Sequence, residues 1–252
     1  MIICKGKAEL QKMREANLIV ARVLNHLGTL VKPGATTAEL NRTSEEMIIK
    51  LGARPAFKGY QGYPAALCAS VNDQIVHGIP NDGTLQEGDI IGLDVGVHYK
   101  GYCGDSAWTF PVGEISDDLR RLLEVTKKSL YKGIKKVMVG NRVSDISSTI
   151  QDFVEANGFS VVREFVGHGI GSSLHEEPQV PNYGQPGRGP RLVEGMVLAI
   201  EPMVNSQGPE VKVLDDKWTA VTADGGYSAH FEHSVAVTDN GPWILSELNG
   251  LS

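Results

Sequence analysis

One pattern is written twice in this chain. Residues 87–97 read EGDIIGLDVGV and residues 194–204 read EGMVLAIEPMV, so Glu87-Gly88 falls on Glu194-Gly195, the apolar runs coincide, and Asp94 falls on Glu201. The likeness extends upstream. VKPGATTAELNRTSEEMIIKLG at 31–52 lies against VMVGNRVSDISSTIQDFVEANG at 137–158, with Gly34 on Gly140, Leu40 on Ile146 and Gly52 on Gly158. Only PVGEIS at 111–116 separates the copies, with no Ser- or Pro-rich linker. The repeat therefore predicts one pseudo-symmetric domain over 1–252, with halves of about 1–112 and 113–252, rather than two independent domains.

Each copy carries the same local signals. Gly34 and Gly140 lead in, Thr36 and Glu39 have capping-box spacing, Ser144 is placed to cap the second copy, and Gly52 and Gly158 stop the helices. Apolar positions Leu40, Met47, Ile48 and Leu51, and likewise Ile146, Ile150, Phe153 and Val154, recur at helical spacing. A further stripe precedes each copy, through Leu10, Met13, Val20, Leu24 and Leu27 in 8–31, and through Leu119, Leu122, Leu130 and Ile134 in 117–138. The first of these lacks a Ser or Thr cap and is preceded by Lys5-Gly6-Lys7. Helix, helix, then strands, twice over, predicts an α+β fold with a largely antiparallel curved sheet backed by helices. The Gly/Pro-rich stretch PNYGQPGRGP at 181–190 is the one long loop, a length at which loops often serve function.

Composition removes several classes. A net charge of −6 without a long basic run argues against a specific DNA partner. No apolar run approaches the roughly 18 residues of a membrane span, and MIICKGKAEL lacks a secretory apolar segment. Cys4, Cys68 and Cys103 are odd in number and without zinc-type spacing, which fits a reducing cytoplasm.

The chemistry lies at the ends of the apolar strands. Asp94 and Glu201 sit at equivalent places, and each strand leads to a second acid in apolar company, Asp105 in GDSAWTF and Glu232 in FEHSVAV. A turn at Tyr99-Lys100 would set Asp94 directly opposite Asp105, with Cβ atoms about 5 Å apart. Two carboxylates that close repel, share a proton, or hold cations between them. The protonated pair without a metal is the bland alternative. Pro202 cannot donate to a ladder, so the strand after Glu201 is expected to be distorted or at an edge. His168 in FVGHGIG, His175 in SSLHEEP and His77 in IVHGIP supply imidazoles. Four carboxylates and one imidazole suit a pair of divalent first-row ions, whose charges the four acids balance.

In the contexts LDVGV, GYCGDSAWTF, GHGIG, AIEPMV and EHSVAVT, Asp94, Asp105, His168, Glu201 and Glu232 resemble the metal ligands of type I methionine aminopeptidases. The likeness covers essentially the whole chain, with HGIP and HEEPQVPNYG between the ligands. It implies the pita-bread fold around a dinuclear centre of Co, Mn, Fe or Zn, and removal of the initiator methionine from nascent chains whose second residue is small. By the same resemblance Asp94 chelates one ion, His168 binds the other, and Asp105 and Glu232 bridge both. Glu201 is a ligand and the proton acceptor from the attacking water. His175 polarises the scissile carbonyl, and His77 contacts the scissile amide and assists the leaving amine. Tyr60, Tyr63, Cys68 and Trp218 match the methionine side-chain pocket, and Asn72, Gln74 and Ser228 match a monovalent-cation site. A monomer in the cytoplasm with transient ribosome contact is implied as well.

Three positions depart from the family's pattern: Phe57 where cysteine is common, Leu174 where phenylalanine is common, and Gly96 for a frequent threonine. These leave the chemistry in place and bear on pocket shape. Two rival readings stay open at this level. A Pro-directed or creatinase-type hydrolase of the same fold usually carries a large N-terminal domain, absent here. A ribosome- or RNA-binding relative without catalysis would be expected to have lost ligands. The long insertion of type II relatives is also absent.

Overall fold

The computed structural model describes residues 1–248; residues 249–252, the end of the predicted domain span, lie outside the described residues. Among the described residues four α-helices form, α1 (Lys7–Leu30), α2 (Thr37–Lys50), α3 (Asp117–Ile134) and α4 (Val143–Ala156). The capping box of α2 is as read: Glu39 N–H donates to Thr36 Oγ1 at 3.1 Å and Thr36 N–H to Glu39 Oε2 at 3.1 Å. Such a cap stabilises by about 1 kcal/mol. Without a hydroxyl cap, α1 begins at Gly6, whose N–H donates to Glu9 Oε2 at 2.8 Å. The expectation for Ser144 is corrected. The N-cap of α4 is Arg142, and Ser144 lies inside the helix, where its Oγ donates to Arg188 O at 2.8 Å. Asp145 does the capping work instead, accepting the Arg142 N–H at 2.7 Å.

The strands are antiparallel throughout. A long hairpin, Ile90–Tyr99 with Tyr102–Pro111, forms a sheet with Cys68–Val71 and Arg54–Pro55. A five-stranded sheet runs in the order Gly241–Ile244, His233–Thr238, Val197–Ile200, Gly167–Gly169, Glu176–Val180. Helices α1 and α2 pack with the hairpin around Val20, Leu27, Leu40 and Leu93. Helices α3 and α4 pack with the five-stranded sheet around Leu122, Ile146, Leu198 and Val235. Burying each such side chain contributes about 1.5–3 kcal/mol.

The duplication is visible in the backbone. Gly34 N–H donates to Leu85 O at 2.8 Å and Gly140 N–H to Leu192 O at 2.9 Å. The isolated bridges Thr36–Thr84 and Arg142–Arg191 are likewise equivalent.

The hairpin register differs from the sequence expectation. Its turn is Lys100-Gly101, with φ of 49° and 84°, and Tyr99 pairs with Tyr102. A two-residue turn of this hand needs positive φ at both central positions, which Gly101 accepts at no steric cost and Tyr99 would not. Asp94 therefore pairs with Ala107 and Asp105 with Gly96. The two aspartates are diagonal neighbours on one face instead of direct partners, since a two-residue shift preserves the face.

Strand Val197–Ile200 ends before Glu201-Pro202, and the chain resumes as Met203–Asn205 in a separate sheet. The strand paired with it breaks opposite, between Ser228–His230 and His233–Thr238. Glu201 and Glu232 occupy these two facing breaks. The loop 181–190 is fastened to α4: Gly187 N–H donates to Asp145 Oδ1 at 2.7 Å, and Gly184 N–H to Gln151 Oε1 at 2.9 Å.

Candidate metal centre and active site

Close approach of α1 to the hairpin fixes Asp105. A Cβ at Gly104 would stand 2.7 Å from Ala16 C and 2.8 Å from Asn17 N, so only glycine allows the helix this near. Asn17, fully buried, then accepts the Asp105 N–H on its Oδ1 at 3.2 Å. Across the halves, Glu232 N–H donates to Ala107 O at 2.8 Å, Ser106 Oγ to Glu232 O at 2.5 Å, and Ser234 Oγ to Asp105 O at 2.9 Å.

These ties bring the acids into one cavity of about 170 Å³, lined by Asp94, Asp105, His168, Glu201 and Glu232 together with His77, His175, Phe57, Tyr60, Tyr63, Cys68, Leu174 and Trp218. Asp105, His168 and Glu232 converge most tightly, with one donor atom from each inside a 4.8 Å sphere of separations; Asp94 and Glu201 fall outside that trio. Glu201 Oε1 stands 3.6 Å from His168 Nε2, and Asp105 Oδ2 stands 3.8 Å from the same nitrogen. A larger cleft of about 350 Å³, between α1 and α3, is lined by none of these residues.

The donor chemistry fits divalent cations. Asp94 Oδ1, Asp105 Oδ1 and Glu232 Oε1 are shut off from solvent and have no hydrogen-bond partner. Burial is the main force pushing the Asp94 carboxyl up to about 7, opposed by His230. It also raises Asp105 and Glu232, and the neighbouring carboxylates add to this. Orphaned acids in such a place are costly unless a cation or proton joins them. His168 Nδ1 lies 2.9 Å from Gly169 O, a group that can only accept. Nδ1 therefore donates there, and Nε2 is the nitrogen turned toward the acids, the orientation a metal-binding imidazole needs.

Around the acids the cavity wall is aromatic and apolar. Tyr63 is buried, donates to Gly78 O at 2.9 Å, and meets Trp218 edge-on with ring centres 5.1 Å apart. Cys68 is buried, and burial holds its thiol well above its ordinary pKa, so it lines the wall as an uncharged, soft surface. Tyr60 OH lies 2.7 Å from His175 Nδ1. Burial first, then His168, draws the His175 pKa down to about 4. His77 has φ of 61°, a left-handed conformation, and its ring stands edge-on to Phe165 and Trp218.

Of the three residues Asn72, Gln74 and Ser228, the first and last meet, with Ser228 N–H donating to Asn72 O at 2.9 Å. The side-chain oxygens of Asn72 and Gln74 already accept the N–H groups of Ile90 and Val71, both at 3.1 Å.

Sequence reasoning missed His230 and Asn182. Asn182 Nδ2 donates to Glu201 O at 3.0 Å and holds the backbone at the strand break. His230 has its Nε2 3.5 Å from Glu201 Oε2. Its signal was available, since His230 and Glu232 are two residues apart in an extended stretch and so share a face.

Residues 11–239 match metallopeptidase family M24. A methionine aminopeptidase of Clostridium perfringens is 56% identical over 246 residues, covering 98% of this chain and 99% of that protein. The crystal structure of the methionine aminopeptidase from Thermotoga maritima superposes with a TM-score of 0.97 at 46% identity, covering 98% of this chain and all of that one. An Xaa-Pro dipeptidase from Bacillus anthracis shares the fold alone, with a TM-score of 0.77 at 22% identity, and the match covers 62% of its length.

Proposed function

The chain belongs to metallopeptidase family M24, and we propose that it is a metal-dependent aminopeptidase that removes N-terminal methionine from nascent chains, chiefly where the second residue is small. The observation that carries the metal half of this reading is the set of orphaned, buried carboxylate oxygens of Asp94, Asp105 and Glu232, two of whose carboxylates converge with His168. Identity across nearly the full length of a methionine aminopeptidase supports the substrate half.

In this reading Asp94, Asp105, His168, Glu201 and Glu232 would hold two divalent ions of Co, Mn, Fe or Zn. Bound divalent ions supply Lewis acidity and a nucleophile from water at neutral pH. Glu201, at the rim of the acid cluster, accepts the proton of the attacking water. Tyr60 OH donates to His175 Nδ1, which leaves Nε2–H free to donate to the scissile carbonyl oxygen as charge develops there. A pKa held down near 4 keeps that imidazole neutral, so it stabilises by donating and not as a cation. His77 contacts the scissile amide and serves the leaving amine. Tyr60, Tyr63, Cys68 and Trp218 receive the thioether side chain.

We assign a cytoplasmic monomer with transient ribosome contact, a reading supported by the three free cysteines and by the nature of a nascent-chain substrate. No helix among the described residues is long and apolar enough to cross a membrane. The halves 1–112 and 113–252 are proposed as copies sharing one site. A monovalent cation near Asn72, Gln74 and Ser228 would bind chiefly through backbone carbonyls, because the side-chain oxygens are engaged.

A panel of Met-Gly, Met-Ala-Ser and Xaa-Pro peptides, offered to protein stripped and reloaded with Mn, Fe or Co, tests the assignment. Release of methionine from the first two alone is expected. Cleavage of Xaa-Pro peptides instead would move the chain to the sister activity. Undiminished cellular function of Asp94→Asn would favour the non-catalytic binder.

A further inference from the structure

His230 is the one imidazole near the acids to which nothing so far gives a role. It is 4% exposed, and its Nε2 is sealed from solvent without a hydrogen-bond partner. Its backbone is pinned to the first-half hairpin, since His230 N–H donates to Thr109 Oγ1 at 2.9 Å and Thr109 Oγ1 donates to His230 O at 2.8 Å. The polar atom Nε2 approaches is Glu201 Oε2, at 3.5 Å. A lone pair at that nitrogen would face the lone pairs of a carboxylate across a dry gap, which is repulsive. A proton there turns the same contact into a charge-assisted hydrogen bond, favoured at about 2.7–2.9 Å, after a small closing movement. A third ion in the gap is not supported, because Asp94, Glu201 and His230 do not bring donor atoms together as Asp105, His168 and Glu232 do.

We propose that His230 is a positioning residue of the centre: its Nε2–H holds Glu201 Oε2, so that Oε1 stays turned toward His168. Glu201 then lies between two imidazoles with different tasks. His168 commits its Nδ1–H to Gly169 O, which leaves Nε2, 3.6 Å from Oε1, for an ion, whereas His230 would offer a proton to Oε2. One carboxylate oxygen is left for ion and water, and the other is anchored. The anchor matters because Glu201 sits at a break between strands, where Pro202 removes a ladder donor and the side chain lacks the support of a continuous sheet.

This inference rests on Glu201 being a ligand and proton acceptor, so its test includes a measurement made without peptide. His230→Leu keeps volume and removes the donor; His230→Gln keeps an N–H of similar reach. Calorimetric titration of Mn into stripped protein is expected to show affinity weakened about 10–100-fold in the leucine variant and near native in the glutamine variant. With Met-Ala-Ser, kcat should fall in the leucine variant while KM stays, and glutamine should restore it. Native Mn affinity in His230→Leu would overturn the proposal. So would a glutamine variant that melts at the native temperature yet binds Mn as poorly as the leucine variant. If the leucine variant does not fold, the glutamine variant decides alone: native Mn affinity upholds the donor role and weakened affinity overturns it. Native Mn binding without methionine release would fault the aminopeptidase reading and not the anchor.

Discussion

The Phe57 ring occupies the space that a Cβ on Gly96 would need, with Cζ 2.9 Å and Cδ1 3.0 Å from that point. Two departures from the family's pattern, read separately in the sequence, are thus one packing event in the wall of the site. Gly96→Ala should cost about 1–3 kcal/mol by overpacking. Cutting Phe57 back to Cys in the same protein should relieve most of that cost. Denaturant unfolding of the four proteins in a double-mutant cycle measures the coupling, and simple additivity would show that the ring does not depend on the glycine.

Ser106 and Ser234 tie the acid-bearing breaks of one half to the hairpin of the other. Both hydroxyls are buried, so Ser106→Ala leaves the Glu232 carbonyl without this partner and should cost about 1–3 kcal/mol. Ser106→Ala/Ser234→Ala should also weaken metal binding beyond its effect on stability, because it loosens the frame that holds Asp105 near Glu232. Unfolding curves with and without Mn separate the two effects.

The stripped protein should lose stability as pH rises. Burial places the folded-state pKa of Asp94 up to about 7 and raises Asp105 and Glu232, all above their unfolded values. The Asp94 contribution is present at pH below the unfolded carboxyl range and is lost as pH climbs through about 7, and those of Asp105 and Glu232 are lost in the same sense as pH rises. His233 acts in the opposite sense. Burial, and then Lys127, lowers its pKa to about 4, so its contribution is present above the unfolded histidine value and disappears as pH falls toward 4. Loading with divalent ions should shift the optimum upward and release protons at mildly acid pH. Titration in two buffers of different ionisation enthalpy counts those protons; a count of zero would mean the acids are already ionised.

His175→Ala should lower kcat about 10²–10³-fold with little change in KM, the pattern for a donor used in the transition state. Tyr60→Phe should have a smaller effect of the same kind, because it frees the tautomer of His175 without removing the imidazole. Steady-state kinetics on Met-Ala-Ser distinguish these from a binding defect, which would raise KM instead.

Much of this site was legible because duplication marks equivalent positions. Asp94 and Glu201 were found by superposing two stretches of chain, and Asp105 and Glu232 by the cost of burying acids among apolar residues. The hairpin register was not legible. It depends on which pair of residues accepts positive φ, and Lys100-Gly101 outcompeted the pair chosen from the sequence. The cap of α4 was missed because Arg142 serves through its backbone while Ser144 is drawn to Arg188. His230 was missed although it shares a face with Glu232, because the residue it approaches, Glu201, lies at a break in another strand that the sequence does not place opposite it.

Anomalous diffraction from crystals of Mn-loaded protein tests the metal cage most directly. The account expects two peaks about 3.5–4 Å apart, both within bonding reach of Asp105 and Glu232, with His168 Nε2 on one of them. Strong peaks confined to other sites, with these acids still unpartnered, would contradict it.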